Sequence, residues 1–156
     1  MIKSNQIRFI MTMTIILCAM FAGAGRADFR VELESGSVAF GSLTKEDLYA
    51  GFVEAGASDG VYALRALITD DENAGWTLSV RADTAEFTSV FAQKSCEDLL
   101  WRVDGPEPYI ALTQYDEPAA SGAGSDYVDI DLKLLAGWGD RADSYGIVLV
   151  FTLTSD

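Results

Sequence analysis

The chain has 156 residues, with 24 acidic against 11 basic side chains, no histidine, and a formal net charge of −13 at neutral pH. Such a surface repels nucleic-acid phosphates and anionic lipid headgroups, so neither is an expected partner. Without histidine, no Ser-His-Asp triad can form, and the usual zinc sites are excluded because Cys18 and Cys96 are the only thiols.

The first stretch reads as a targeting segment. Lys3 and Arg8 give a basic start, Ile10 to Ala22 is an apolar run, and Gly25 and Ala27 stand at −3 and −1 before Asp28. This is the pattern of a secretory signal peptide over residues 1–27. Cleavage after Ala24 is the alternative. The apolar run is shorter than the about 20 residues a membrane span requires. Cys18 follows Leu17 rather than a small residue, which argues against a lipoprotein site. Losing Lys3, Arg8 and Arg26 takes the net charge from −13 to −16. Residues 28–156 then form one domain, expected in the periplasm, at the cell surface or outside the cell. Cys96 is its only thiol, so no internal disulfide is possible. It is expected to be a small buried hydrophobe, with pairing between chains as the alternative. The core must therefore hold the domain by itself.

Phe29, Val31 and Leu33 alternate with Arg30, Glu32 and Glu34, the period of a half-buried strand. Ser35-Gly36-Ser37 is a turn, and Val38 to Phe40 is a second short strand. Thr44 as N-cap and Asp47 in the first turn predict a helix that Gly51 and Gly56 keep short. Val61 to Ile68 predicts a strand. The acidic turn Asp70-Asp71-Glu72-Asn73 follows, and then Trp76, Leu78 and Val80 alternate with Thr77, Ser79 and Arg81. Together these predict a hairpin with a buried tryptophan. Phe87 and Phe91 are anchors in a long connection. Leu99, Trp101 and Val103 alternate again, and Tyr109 to Tyr115 is a further strand ended by Pro118. Ala119 to Ser125 is the clearest loop. Tyr127 to Leu135 and Tyr145 to Thr154 close the chain as strands. Short strands with Gly, Pro and acidic turns predict an all-β fold, a single immunoglobulin-like antiparallel β-sandwich with a short helical turn.

The order of features resembles the WxL-type surface domains of bacteria and related secreted β-sandwich proteins. The resemblance rests on Gly75-Trp76-Thr77-Leu78, preceded by Thr69-Asp70-Asp71, and on Phe151-Thr152-Leu153 after Tyr145. The second motif has phenylalanine where the family has tryptophan. The family implies export and attachment to the cell surface, with the two motifs implicated in binding peptidoglycan.

Little in the chain suggests a reaction. Gly56-Ala57-Ser58-Asp59-Gly60 spells G-x-S-x-G, but a strand follows it where a nucleophile elbow needs a helix. Gly122-Ala123-Gly124 lacks the setting of a dinucleotide loop. The protein is expected not to be an enzyme. Calcium is the possible cofactor: Asp70, Asp71, Glu72 and Asn73 offer oxygens within one turn, and Ca²⁺ accepts loop geometry with roughly six to eight oxygens. Asp129 and Asp131, on one strand face, are a second candidate pair. Trp76 and Trp101 sit in alternating strands and read as core. Trp138, between Gly137 and Gly139, is the candidate ligand contact.

Three functional expectations follow. The first is a secreted, non-enzymatic structural or surface protein of the cell envelope or extracellular matrix. The second is a module binding glycan or peptidoglycan. The third is a pilin-like fibre subunit that self-associates by strand addition through Phe29 to Leu33. Protein recovered outside the cytoplasm should begin at Asp28 on N-terminal sequencing. Soluble exported material that retains Met1 would refute the leader.

Overall fold

The computed structural model describes residues 8–9, 29–34, 36–55, 62–73, 75–106 and 108–155. Most of the expected leader and the Gly56 to Gly60 segment lie outside the described residues. The strands are β1 (Arg8–Phe9), β2 (Phe29–Leu33), β3 (Gly41–Ser42), β4 (Phe52–Ala55), β5 (Leu64–Asp70), β6 (Gly75–Ala82), β7 (Leu99–Val103), β8 (Ile110–Ala111), β9 (Glu117–Ala123), β10 (Asp126–Leu135), β11 (Ser144–Tyr145) and β12 (Leu149–Ser155). One short helix, α1 (Lys45–Ala50), and a 3₁₀ turn at Cys96–Asp98 complete the described elements. None is a helix long and apolar enough to cross a membrane.

The helix starts and stops where its residues require. Thr44 Oγ1 accepts from the Asp47 N–H, and Asp47 Oδ2 accepts from the Thr44 N–H at 2.8 Å, a reciprocal capping box. Gly51 ends it in the left-handed region at φ 83°, which a side chain would resist. Strand β4 begins at the next residue.

The larger sheet runs β2-β5-β10-β7-β8, with β4 also paired to β10. Strand β10 is its spine. Its first half pairs with β5, its second half with β4 on the same edge, and β7 takes the other edge. The smaller sheet runs β12-β6-β9. Two-residue β1 lies between β3 and β11, parallel to β11. The pairing within the two larger sheets is antiparallel throughout.

Period-2 alternation supplies the core. Leu64, Ala66 and Ile68 of β5 are buried with Val128, Ile130, Leu132 and Leu134 of β10. From the other sheet come Trp76, Leu78, Val80 and Ala82 of β6, with Leu149 and Phe151 of β12. All belong to one hydrophobic cluster, which also takes in Trp101 and Cys96. Cys96 is buried, and burial pushes its thiol pKa up. It behaves as the small hydrophobe expected.

Several expected details differ. The segment around the acidic turn is not a hairpin: β5 and β6 belong to different sheets, and the turn carries the chain across the core. Ala119 to Ser125 is not a loop. Most of it is β9, an edge strand against β6, with a bulge between Leu78 and Ser79. Pro118 is tolerated at that edge because a sheet edge needs no donor there. Of Tyr109 to Tyr115, only Ile110 and Ala111 pair. The all-β class with one short helix holds, but the immunoglobulin-like strand order is not reproduced. Counting β2, β5, β6, β7, β9, β10 and β12 as first to seventh, the sixth lies between the second and fourth. An immunoglobulin sheet places the fifth there.

Trp76 explains the crossing. Its indole is 1 % exposed, and Nε1–H donates to the Gly124 carbonyl at 2.8 Å. A Cβ on Gly122 would stand 2.6 Å from Trp76 Cζ2, so the β9 backbone lies directly on the ring. Trp76→Ala should cost roughly 3–5 kcal/mol in urea unfolding, the range for a fully buried large aromatic. A loss below about 1 kcal/mol, usual for a surface site, would contradict this packing.

Candidate functional site

Three places carried chemical expectations, and the fold treats each differently. The acidic turn Asp70-Asp71-Glu72-Asn73 is a structural joint. Asp70 is buried at the end of β5, and its Oδ1 accepts from the Glu72 N–H at 3.1 Å. The Asp70 N–H donates to Ser125 Oγ at 3.0 Å. Asn73 adopts φ 54°, and its Oδ1 lies where a side chain on Gly124 would begin. Asp71 and Glu72 face solvent. Asp70 Oδ2 is buried with no hydrogen-bond partner. Among the described residues, no three carboxylate, cysteine or histidine side chains converge as a metal-ligand group.

Asp129 and Asp131 do share the outer face of β10, but each is engaged by its own arginine. Arg65 reaches Asp129 with Nε at 2.5 Å and Nη2 at 2.7 Å, a bidentate pair. The same guanidinium lies between the rings of Tyr62 and Tyr127, 4.1 and 4.3 Å from their centroids. Arg102 donates twice to Asp131 Oδ2, at 3.1 and 3.0 Å. Lys133 pairs with Glu54 at 2.7 Å beneath Phe52 and Tyr109. A cation bridging Asp129 and Asp131 would have to displace both arginines. The outer face is a charge-neutral ladder.

Trp138 is the candidate the fold leaves open. It is 60 % exposed, and its ring meets Tyr49 of α1 edge-on at 5.3 Å, with Tyr49 itself 77 % exposed. The loop that carries it is fastened. Lys94, almost fully buried, reaches Asp140 at 3.1 Å and Asp98 at 3.1 Å. Asp140 Oδ2 also accepts from the Gly137 N–H at 2.9 Å. Ahead of the loop, the Ala136 N–H donates to the Gly51 carbonyl and so fixes it against the end of α1.

Beside Trp138, residues 90–93 and 139–141 enclose an open hollow of about 570 Å³. Asp143 Oδ2 accepts from the Val90 and Phe91 N–H groups, and these bonds hold its carboxyl below its ordinary range. Arg141 Nη1 donates to the Phe91 carbonyl at 3.1 Å. The Phe91 side chain is 72 % exposed. Of the two expected anchors, Phe87 is buried against Tyr145 and Phe91 points out. Flanking glycines marked Trp138 in the sequence. Nothing marked Tyr49 or Arg141, and Phe91 read only as an anchor, because a juxtaposition of distant segments has no local pattern.

No protein-family model matches the chain, and no curated protein matches it either. The likeness to WxL-type domains therefore stands on residues 69–78 and 145–153 alone.

Asp131 gives the ladder a pH signature. Its side chain is 1 % exposed, and its Oδ1 has no hydrogen-bond partner. Burial raises its carboxyl above the ordinary 3.8, against the smaller lowering effect of Arg102, while Asp104 and Glu54 add to the rise. The folded protein thus holds this proton more tightly than the unfolded chain. That contribution to stability is present below pH 3.8 and is lost as pH rises through the folded value. Wild-type stability relative to Asp131→Asn should therefore fall in urea melts as pH rises above 3.8. A difference that stays flat or rises would contradict the buried geometry.

Proposed function

We propose that residues 28–156 form an exported, non-enzymatic domain acting in the cell envelope or outside the cell. Its task there is to hold glycan at the Tyr49–Trp138 end. One observation carries the reading: Trp138 keeps its indole in solvent on a loop that a buried lysine fastens. A tryptophan serving the core is covered, as Trp76 and Trp101 are. An exposed, pre-positioned aromatic offers a flat apolar face at low entropic cost, and the apolar face of a sugar ring can stack on it.

The WxL resemblance supports the same direction with one change of role. Trp76 is buried, and Phe151 is buried on the neighbouring strand. These motif positions serve packing, so contact with peptidoglycan would fall to Trp138. Pairing of β2 with β5 of its own chain across Phe29–Leu33 favours a self-contained surface domain over a pilin-like strand donor.

Calorimetric titration of the purified domain with soluble peptidoglycan fragments and N-acetylglucosamine oligomers tests this. Trp138→Ala should weaken binding at least about tenfold, as loss of a central aromatic contact does. It should change stability by no more than about 0.5 kcal/mol. Binding that survives the substitution unchanged would remove Trp138 from the site.

A further inference from the structure

Residues 28–156 contain eight lysines and arginines. Six of them pair with carboxylates: Arg30, Arg65, Arg81, Lys94, Arg102 and Lys133. The other two, Lys45 and Arg141, have no acidic partner among the described residues. In so acidic a chain, carboxylates are abundant, and a cation left without one is the exception.

Both exceptions lie on segments that meet at Trp138: α1, whose Tyr49 touches the indole, and the loop that carries it. Lys45 stands one helical turn before Tyr49 on α1, the spacing that places two side chains on the same face. Arg141 lines the hollow three residues beyond Trp138. The acids nearest Arg141 in the chain are already engaged. Asp140 is held by Lys94 and the Gly137 N–H, and Asp143 by the Val90, Phe91 and Ser144 N–H groups. The Arg141 backbone is held as well, since Tyr145 Oη donates to its carbonyl at 2.9 Å. Only Nη1 of the guanidinium is occupied, by the Phe91 carbonyl.

We infer that the ligand of this end is an anionic glycan, with a sugar ring on Trp138 and its carboxylate or phosphate on Arg141, supported by Lys45. This rests on the glycan reading above and names the ligand's charge. A guanidinium matches the paired oxygens of either anion, and charge-assisted bonds of this kind are the strong ones. The surrounding negative surface sharpens the choice, because only an anion that reaches the two open cations escapes repulsion.

The test titrates the domain with three probes: an oligogalacturonate, a glycerol-phosphate polymer and a neutral N-acetylglucosamine oligomer. At least one acidic probe should bind more tightly than the neutral one, and which of them does so identifies the anion. Arg141→Gln should weaken that binding about tenfold or more, and Lys45→Gln less, as expected for a charged hydrogen bond and a distant charge. Neither substitution should alter affinity for the neutral oligomer. Urea midpoints check that Arg141→Gln is folded, and exposed Lys45 provides a variant without structural contacts. Neutral binding equal to acidic binding, unchanged in Arg141→Gln, overturns the anionic inference and leaves the glycan reading standing. Binding of none of the three overturns both. Acidic binding that needs Arg141 and ignores Trp138→Ala overturns the shared site.

Discussion

The indole of Trp76 is the constraint on which the rest of the domain depends. It belongs to the smaller sheet, yet its Nε1–H is satisfied by Gly124, at the point where the chain leaves β9 for β10 of the larger sheet. A buried indole N–H without a partner would cost roughly 1–3 kcal/mol, so the place of the 122–125 segment is dictated by the ring. Gly122 and Gly124 are required there for different reasons. The first lets backbone touch the ring, and the second adopts φ +72° beside Asn73. Two of the crossings between sheets, after β5 and after β9, are thereby locked together through Asp70, Asn73 and Ser125. Residues 28–156 hold a single cysteine, so this lock is made without a disulfide.

Charge is managed just as locally. An acidic chain gains solubility from its surface and risks self-repulsion in its compact state. Here the outer face of the larger sheet turns that excess into order. Arginine and lysine sit between carboxylates and aromatic rings: Arg65 and Lys133 each have one carboxylate and two rings, and Arg102 has one of each. These pairs are partly buried, so each carboxylate needs its cation, and together they fix register and cover the sheet. A face so neutralised has little left to offer a charged ligand. The end carrying Tyr49, Trp138 and Arg141 differs because Lys45 and Arg141 have no acidic partner among the described residues.

That end is also built for rigidity without strain. Buried Lys94 draws residues 137–140 onto the 3₁₀ turn, and Asp143 gathers the backbone N–H groups of the facing loop. Removing one partner of a buried pair leaves an uncompensated charge, so the loops are held by the cost of separating them. A contact surface made this way loses little conformational entropy when a ligand arrives.

Residue pattern alone determined the class of the fold. Alternation in β2, β6, β10 and β12 identified their inward faces, because a period of two survives any choice of partner strand. The Thr44–Asp47 cap and Gly51 set the limits of α1, because capping is a contact between near neighbours. Buried Trp76, Trp101 and Cys96 were legible for the same reason, and glycines on both sides singled out Trp138. Strand order was not legible. A turn such as Asp70 to Asn73 is equally good chemistry within a sheet or between sheets, and only the packing of Trp76 against Gly122 and Gly124 chooses. Small residues from Ala119 to Ala123 look like a loop until a large ring needs a flat backbone beneath it. Charge followed the same rule. The sequence shows how many acids and bases there are, but which cations stay open at Lys45 and Arg141 depends on distances between segments far apart in the chain.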